Sequence, residues 1–458
     1  MSDPNPRRIV IVGGGASGVL MAAHLLRGGR QDLHVTIVEK RAQLGRGLAY
    51  ATGNPNHLLN VRAANMSAFA DDPGHFSRWL AAQDAAPNVA GGEGFRFVSR
   101  KLYGVYLESL LDPYWSPDGA RAALTVVRDC ARAAKVTPTG VEIALDSGGF
   151  VPADLAIFAC GHESVIDEGP FSISPWAEPL GGGAPRDSTL LILGTGLTMV
   201  DAALALREQG HSGRIIAISR RGLLPRAHRA VDALKIDADA APLDQDIATI
   251  CRWLRALARR CEAEGGDWRS VVDGLRPHTQ AIWRAMAPRM RRRFLEHARP
   301  WWDIHRHRMA PEVANRLSAL VASGQLEIVA GKLLETTADG EGARVTIRRR
   351  GAREVETIAV ARIISCKGVA AHPPGGADRL VDSLFAQGAA RLDSLRIGID
   401  VDPHCAIIDW NGVASTRLFA IGPMSQAAFW EIIAVPDIRL QTAELARRLT
   451  TSAAGPAR

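Results

Sequence analysis

The stretch Arg8-Ile9-Val10-Ile11-Val12-Gly13-Gly14-Gly15-Ala16-Ser17-Gly18, near the start of the 458-residue chain, decides the fold. Its β-branched run passes directly into glycine, which is typical of a buried strand in a parallel sheet. Gly13 permits a tight turn, Gly15 lets the backbone approach a pyrophosphate, and Gly18 lets the next helix pack on the strand. The start of that helix presents its amides to the phosphates. The stretch therefore predicts a dinucleotide site.

The residues that follow supply the context that this motif needs. A helix is predicted up to about Arg27, Gly28-Gly29 closes it, and a second apolar strand, Leu33–Val38, ends at Glu39. A carboxylate about 20 residues beyond the glycine turn accepts hydrogen bonds from a ribose. The alternative is an ordinary glycine-rich βα turn with a surface glutamate. Strand, turn, helix, strand and acid in register favour the nucleotide site.

Composition describes a globular protein of two or three domains. Hydrophobic residues make up 47% of the chain and charged residues 22%. No apolar run approaches the length of a membrane span, which predicts that no membrane is involved. The first six residues are polar, and the apolar segment after them belongs to the nucleotide fold, so we expect no signal peptide and a cytoplasmic location.

The cysteines argue against two kinds of site. There are six, and none forms a CxxC or CxxxxC pair or a zinc-like spacing. A dithiol reductase needs two neighbouring thiols beside its flavin, so the sequence disfavours that class, and no metal site is predicted. The cysteines are Cys130, Cys160, Cys251, Cys261, Cys366 and Cys405.

A second strand and turn, Leu190–Leu193 followed by Gly194-Thr195-Gly196-Leu197-Thr198, repeats the first unit. Met199 occupies the third glycine position, so this turn departs from the strict pattern. The next strand, Arg214–Ile218, ends at Ser219-Arg220-Arg221, where the first unit has Glu39. Guanidinium groups at this position can bind a 2′-phosphate through paired hydrogen bonds. The arginines therefore predict an NADPH site. The alternative is a plain βαβ unit with surface arginines.

The remaining pattern divides into strands and helices. Residues Leu124–Leu145 predict a small antiparallel meander, and residues 232–320 predict helices only. Two strands, Leu326–Ala330 and Leu333–Thr337, follow the helices. The fold class is therefore α/β, with two Rossmann-like dinucleotide-binding domains and a helical insertion.

The chain has a net charge of +7, and its densest basic run is Arg289–Arg308. Three interpretations remain open for it: a solvated helix face, a wall for an anionic cofactor or substrate, and a nucleic-acid surface. Trp301 and Trp302 beside the arginines suit base stacking and a helix packing seam equally well.

These features together resemble a known family. The segments are Gly45–Tyr50, His57–Val61, Leu193–Thr198, His305–Arg308 and Glu431 through Val435–Arg439. They are similar to the bacterial FAD-NAD(P)-binding family of two-dinucleotide-binding-domain flavoproteins, which is related to flavin N-hydroxylating monooxygenases. The resemblance implies that FAD binds to residues 1–167 and 356–458, and that NADPH binds to residues 186–355, which contain the helical insertion. It also implies that the late strand Leu418–Gly422 returns to the FAD domain.

The resemblance implies a set of cofactor contacts. Such flavoproteins often have Asp after the glycine of the late strand, where this chain has Pro423, so ribityl contacts are expected from backbone groups or from Asp437. The FAD contacts are expected at Gly13, Gly15, Ala16, Ser17, Gly18, Glu39, Lys40, Gly47, Asn60, Asn65, Met66, Gly161, Gly422, Pro423 and Val435. The NADPH contacts are expected at Gly194, Gly196, Leu197, Thr198, Ser219, Arg220 and Arg221.

The expected activity is that of an FAD-dependent NADPH oxidoreductase, a monooxygenase that forms a flavin hydroperoxide and oxidises a small nitrogen-containing substrate with molecular oxygen. Candidates for the flavin or substrate pocket are His57, His305, Trp430 and Glu431, together with Asn65. One alternative is an NADPH oxidase or flavin reductase that makes hydrogen peroxide. Another is a flavin-containing protein that binds or modifies nucleic acid, which is the less favoured partner. The oligomeric state is left open.

Overall fold

The computed structural model describes residues 6–29, 32–83, 89–90, 95–115, 123–161, 169, 171–237, 241–242, 245–367 and 379–451. The chain forms two compact units. The first consists of Met1–Glu163, Thr279–Pro288 and Ala371–Arg458, and the second of Ser164–His278 and Arg289–Ala370. Among the described helices, none combines the length and apolarity needed to cross a membrane.

The strands are β1 (Arg7–Val12), β2 (Leu33–Val38), β3 (Val89–Ala90), β4 (Phe97–Val98), β5 (Leu124–Val127), β6 (Ala131–Val136), β7 (Val141–Leu145), β8 (Phe150–Ala153), β9 (Leu155–Phe158), β10 (Ser172–Ile173), β11 (Leu190–Leu193), β12 (Ile215–Ser219), β13 (Leu326–Asp339), β14 (Gly342–Arg349), β15 (Glu356–Val360), β16 (Arg362–Ser365), β17 (Ala406–Ile408) and β18 (Ala414–Ala420).

The helices are α1 (Ala16–Leu26), α2 (His75–Ala81), α3 (Arg100–Ser109), α4 (Leu197–Glu208), α5 (Ile247–Ala263), α6 (Trp268–Leu275), α7 (Thr279–Ala285), α8 (Pro288–Arg293), α9 (Arg299–Arg306), α10 (Pro311–Ala322), α11 (Arg379–Ala386) and α12 (Val435–Thr451). Short 3₁₀-helical turns lie at Ala63–Asn65, Asp112–Tyr114, Arg276–His278 and Gly422–Ser425, and a π-helical turn lies at Phe294–Ala298.

The first unit is built on a six-stranded sheet in the order β17-β18-β9-β1-β2-β5. Strand β1 pairs in parallel with both β2 and β9, and β18 adds in parallel to β9. Residues Ile9–Val12 are almost completely buried, as their β-branched run predicts. The late strand thus returns to the sheet of the first glycine turn.

Strand β5 corrects the predicted meander. Residues Leu124–Val127 pair in parallel with Val35–Val38 and form the edge of the nucleotide sheet, so their assignment to the meander was wrong. The connection from β2 contains α2 and α3, which make it long enough to bring the chain back as a parallel strand. The antiparallel meander is confirmed for β6, β7 and β8.

The second unit contains a seven-stranded sheet in the order β10-β16-β11-β12-β13-β14-β15. In this sheet, β10, β16, β11, β12 and β13 are parallel to one another. Strand β14 pairs antiparallel with both β13 and β15, which extends the sheet. The two strands predicted between Leu326 and Thr337 are one strand of 14 residues. The pairing of β13 with β14 shifts register between Leu333 and Glu335. This local irregularity, and not the end of a strand, interrupts the side-chain alternation.

The helical insertion lies between β12 and β13 and contains α5 to α10, as predicted from its periodicity. The compact units divide it, because residues Thr279–Pro288 belong to the first unit and the rest to the second. Trp283 of α7 has 2% of its surface exposed, and its Nε1 donates a hydrogen bond of 2.8 Å to the carbonyl oxygen of Ala427. This buried indole ties the segment to the first unit.

Candidate functional site

The first glycine turn is held by close backbone contacts. The amide of Gly13 donates to the carbonyl oxygen of Val38 at 2.9 Å, and the residue has φ +101°. A Cβ on Gly13 would lie 2.6 Å from the carbonyl oxygen of Ala159, and a Cβ on Gly18 would collide with the carbonyl oxygen of Gly13. These glycines let β1, α1 and the end of β9 meet without side chains between them.

Gly15 and Gly47 form the open face of this turn. A Cβ on Gly15 would lie 3.6 Å from the Cα of Gly47, so side chains at these positions would fill a shallow cradle. Helix α1 begins at Ala16, and no side chain caps its start. Uncapped amides at a helix N-terminus suit a phosphate group. The arrangement therefore fits the pyrophosphate of a dinucleotide.

Glu39 lies at the end of β2 beside the turn, with 6% of its surface exposed. Its Oε2 accepts a hydrogen bond of 2.7 Å from the amide of Gly14, and its Oε1 accepts one of 2.8 Å from the amide of Arg41. A carboxylate has about four acceptor positions, so two hydrogen bonds leave capacity for ribose hydroxyls. The backbone holds the acid in place for that role.

The late strand brings a second glycine to the start of α1. A Cβ on Gly422 would collide with Oγ of Ser17. The Gly422 amide donates to Oε1 of Gln441 at 2.8 Å, and its carbonyl oxygen accepts from Oγ of Ser425 at 2.8 Å. The structure therefore brings together the predicted residues Ser17 and Gly422. Sequence reasoning missed Gln441, because a single polar residue on an amphipathic helix gives no local signal.

The remaining predicted FAD contacts lie around the same sheet. Asn65 ends a short helical turn and is half-buried, and the carbonyl oxygen of the buried Met66 accepts from Oη of Tyr103 at 2.9 Å. Gly161 follows β9 with open space around its Cβ position. Lys40 is exposed, Asn60 is half-buried, Pro423 lies in the Gly422–Ser425 turn, and Val435 begins α12.

The second glycine turn has the same backbone frame. The amide of Gly194 donates to the carbonyl oxygen of Ile218 at 2.8 Å, and a Cβ on Gly194 would collide with the carbonyl oxygen of Cys366. Space is open beside Gly196, and no side chain caps the start of α4. Leu197 and Thr198 in the first turn of α4 are half-buried, and Met199 is fully buried. This turn also fits phosphate groups.

The hydroxyl of Ser219 forms hydrogen bonds within the protein. Its Oγ lies 2.8 Å from Oγ1 of Thr195 and accepts a hydrogen bond of 3.0 Å from the amide of Gly222. Arg220 is exposed, and Nη2 of Arg221 donates to the carbonyl oxygen of His297 at 3.3 Å. The two guanidinium groups, rather than the serine, are therefore placed to meet a ligand.

A cavity of about 480 Å³ opens beside these two arginines. Most of its side chains are cationic, although only Arg220 and Arg221 were predicted. Lys332, Arg348 and Arg350 were missed because they lie more than 100 residues further along the chain. The lining residues are Arg220, Arg221, Gly331, Lys332, Arg348, Arg349, Arg350, Gly351 and Ala352.

The basic stretch Arg289–Arg308 is divided by burial. Arg289, Arg292 and Arg293 are exposed, as a solvated helix face requires. Arg308 has only 3% of its surface exposed and is paired with Asp273. Burial lowers the pKa of Arg308. The end of this stretch is therefore part of the interior of the second unit.

The four pocket candidates are divided between the two compact units. His57, Trp430 and Glu431 belong to the first unit, and His305 belongs to the second. His57 Nδ1 lies 2.8 Å from Oγ1 of Thr52, and His305 Nδ1 lies 2.7 Å from the carbonyl oxygen of Trp301. Both histidines thus have structural contacts.

Trp430 and Glu431 occupy a strained, buried segment. Trp430 stacks on Trp283 with 4.6 Å between ring centroids, and Glu431 has φ +64° with 8% of its surface exposed. A buried residue held in the left-handed region is a reason to suspect a function. Trp283 was missed because its periodicity placed it in the predicted helical insertion.

The cysteines in the described parts of the chain are free thiols. All six cysteines lie there and none forms a disulfide. Burial raises the pKa of Cys405 to about 12, so its thiol stays protonated. No group of three or more His, Cys, Asp or Glu side chains among the described residues is placed to hold a metal ion.

Part of the first unit matches a known protein family. The model of the FAD-NAD(P)-binding family matches residues 10–163. Residues 10–163 form an FAD-NAD(P)-binding domain. This confirms the predicted resemblance to this family. A search of the curated proteins finds no match.

Solved structures extend the likeness to nearly the whole chain. The ornithine N-hydroxylase KtzI of Kutzneria sp. 744, described with reduced FAD, NADP+ and L-ornithine, has a TM-score of 0.64 at 13% identity, covering 98% of this chain and 100% of that one. The reduced ornithine hydroxylase PvdA of Pseudomonas aeruginosa has a TM-score of 0.66 at 13% identity, covering 97% and 99%.

A third structure, the thioredoxin reductase of T. acidophilum, has a TM-score of 0.54 at 13% identity and covers 98% of this chain and 100% of that one. At such low identities the likeness concerns the fold. The chain therefore has the fold of two-dinucleotide-binding-domain flavoproteins, which confirms the predicted fold class.

Proposed function

We propose that the protein is an FAD-dependent NADPH oxidoreductase, and specifically a monooxygenase that oxidises the nitrogen of a small amine. The observation that carries the proposal is the contrast between two glycine turns of the same frame. One has the buried acceptor Glu39 at the end of its second strand, and the other has Arg220 and Arg221 beside a cationic cavity. An acid there suits an unmodified ribose, and arginines suit a 2′-phosphate.

The first unit would hold FAD. Gly15 and Gly47 would face the pyrophosphate, and Glu39 would accept hydrogen bonds from the ribose. Ser17 and Gly422 would lie beside the ribityl chain of FAD. The family match over residues 10–163 supports this assignment. We assign FAD to the first compact unit and NADPH to the second. The expected domain boundary at residue 356 lies too early, because β15 and β16 belong to the seven-stranded sheet of the second unit.

The second unit would hold NADPH. Gly196 and the uncapped start of α4 would receive the pyrophosphate, and Arg220 and Arg221 would bind the 2′-phosphate through charge-assisted hydrogen bonds. When bound, FAD supplies the redox chemistry, accepting hydride from NADPH and reacting with oxygen. The contribution of the protein is to bind, orient and shield these groups.

The proposed substrate is a small amine. The solved structures of similar fold include hydroxylases of ornithine and a monooxygenase of L-lysine, and this likeness supports an amine nitrogen as the oxidised group. In the first unit, His57, Asn65, Trp430 and Glu431 remain the candidates for its pocket. His305 of the second unit remains a separate candidate. A buried carboxylate such as that of Glu431 is suited to attract an ammonium group.

The test uses the full chain as purified. The cofactor released on denaturation is identified, and NADPH oxidation, oxygen consumption and hydrogen peroxide are followed with L-ornithine, L-lysine and simple primary amines. The proposal expects FAD and an amine that raises NADPH oxidation while an N-hydroxylated product replaces peroxide. A protein without flavin would contradict the redox function. Stoichiometric peroxide with every amine would contradict oxygen transfer and indicate an NADPH oxidase.

A further inference from the structure

The cationic cavity is built by strand register. Strand β13 runs parallel to β12, with Ser219 opposite Ala330, so β13 continues past the point where Arg220 and Arg221 leave the sheet. Lys332 lies two residues beyond Ala330, and Arg348 of β14 is its direct partner in the antiparallel pair. Alternation along β14 and the residues after it places Arg350 near Arg348 at the cavity.

The pairing of Lys332 with Arg348 is unfavourable by itself. Like charges directly opposite each other in an antiparallel pair destabilise a sheet. Both side chains are exposed, so water and salt reduce the repulsion without removing it. Local rules of this kind are typically broken where a ligand compensates for the cost.

The carboxylates nearby do not neutralise the cavity. Arg349 pairs with Glu356 and with Glu327, which also pairs with Arg214. The hydrogen bond from Arg349 lowers the pKa of Glu356, so this pair remains charged at neutral pH. Among the described residues, no ion pair involves the other cationic side chains of the cavity. These are Arg220, Arg221, Lys332, Arg348 and Arg350.

Backbone contacts fix the two halves of the cavity against each other. The amide of Arg350 donates to the carbonyl oxygen of Ala330 at 2.8 Å. A Cβ on Gly222 would lie 3.0 Å from the Ala330 nitrogen, so the turn after Arg221 rests directly on β13. The backbone positions that carry the cations are therefore fixed before a ligand arrives, which reduces the part of the ordering cost that comes from the backbone.

We propose that Lys332, Arg348 and Arg350 form the second half of the site for the 2′-phosphate of NADPH. This inference rests on the proposed function and assigns part of the nucleotide selectivity to the β13–β14 hairpin. A phosphate monoester has a charge of about −1.5 to −2 at neutral pH and three acceptor oxygens, which match cations from two sides. The hairpin then contributes to the choice of NADPH over NADH.

The test measures binding by titration calorimetry, with adenosine 2′,5′-bisphosphate and adenosine 5′-monophosphate as probes. The proteins are the full-length wild type and the variants Lys332→Gln, Arg348→Gln and Arg350→Gln. Each variant is expected to bind the bisphosphate roughly 5- to 20-fold more weakly, because each removes one charge-assisted contact that is partly screened by water. Binding of the monophosphate is expected to stay within about twofold, because it lacks the group that the hairpin contacts.

Arg344→Gln is the matched control. Arg344 lies on the same strand, is exposed, and pairs with Asp339 outside the cavity. This variant removes the same charge and is expected to leave both affinities unchanged. A loss in the control equal to that in the hairpin variants would show a general charge effect and overturn the inference.

Two failures are distinguishable. If the wild type prefers the bisphosphate and Arg220→Gln abolishes that preference while all three hairpin variants retain it, the hairpin inference is wrong and the NADPH site stands. If the wild type binds the two probes equally, both the inference and the NADPH assignment fail. The separate variants cover the case in which one of them does not fold.

Discussion

The two glycine turns of this chain share one frame and differ in what is attached to it. Val12 pairs with Val38 in the first unit as Leu193 pairs with Ile218 in the second. The first glycine of each turn donates to the end of the neighbouring strand, at 2.9 Å and 2.8 Å. The two turns thus share the backbone arrangement that we propose receives a pyrophosphate.

The difference lies at the residue that follows Val38 in the first unit and Ile218 in the second. There the first unit has Glu39, bound to the amide of Gly14, and the second has Ser219, in contact with the hydroxyl of Thr195. The same link between turn and strand is made by an acid in one unit and by two neutral hydroxyls in the other. Removing the acid lets Arg220 and Arg221 determine the local charge. We therefore propose that the shared backbone frame binds a dinucleotide and that this position selects which one.

The largest expected effect concerns helix packing. A Cβ on Gly18 would collide with backbone, whereas the equivalent residue of the second unit is the buried Met199. We expect Gly18→Ala to lower the free energy of unfolding of the first unit by about 3 kcal/mol or more, at the upper end of overpacking. Urea unfolding followed by circular dichroism measures this. If Gly18→Ala unfolds like the wild type, α1 packs less closely than described.

The next effect is a pH dependence of stability that α1 contributes and α4 does not. His24 of α1 is equivalent to Ala205 of α4, and burial together with the charge of Arg27 lowers the pKa of His24 to about 4. Because the unfolded state binds a proton near pH 6.5 and the folded state does not, stability falls as pH decreases from about 6.5 to about 4, by at most about 3 kcal/mol. His24→Ala is expected to flatten this part of the profile, measured by urea unfolding. An unchanged slope would contradict a half-buried His24 that stays neutral in the folded state.

The third effect concerns nucleotide choice. Arg220→Gln combined with Arg221→Gln is expected to weaken NADPH binding roughly 10- to 100-fold, since hydrogen bonds to a charged phosphate are lost. NADH binding is expected to stay nearly constant, because NADH has no 2′-phosphate. Fluorescence titration with both nucleotides measures this. Equal losses for both would show that these arginines act on the fold rather than on the phosphate.

The smallest effects form a matched pair at the phosphate turns. Gly15 and Gly196 precede α1 and α4 with extended backbone, and a Cβ meets ordinary contact at Gly15 and open space at Gly196. We expect Gly15→Ala to weaken FAD retention and Gly196→Ala to weaken NADPH binding, each by up to roughly tenfold, with folding preserved. Cofactor content and nucleotide titration test the pair. An exchange of the two effects would reverse the proposed assignment.

Much of the fold follows from local pattern. The β-branched runs at Ile9–Val12 and Leu190–Leu193, and the glycines after them, predict the two sheets because buried parallel strands need that composition. The pairing of Leu124–Val127 was predicted wrongly, since a short apolar run does not encode its partner strand.

The sites were predicted unequally for the same reason. The residues at each glycine turn follow from spacing within one βαβ unit, and the structure brings Gly15, Gly47 and Glu39 to one place. Lys332 and Arg348 join Arg220 only through the register of β12, β13 and β14, which the one-dimensional pattern does not contain. Trp283 meets Trp430 through tertiary packing alone.

The most direct test of the two-cofactor account is anaerobic mixing of the purified protein with NADPH and, separately, with NADH, while the visible flavin band is followed. The account predicts FAD as the released cofactor and rapid bleaching by NADPH, with much slower bleaching by NADH. A flavin that both nucleotides reduce equally would contradict the role of Arg220 and Arg221. A protein that contains no flavin, or a flavin that neither nucleotide reduces, would contradict the account as a whole.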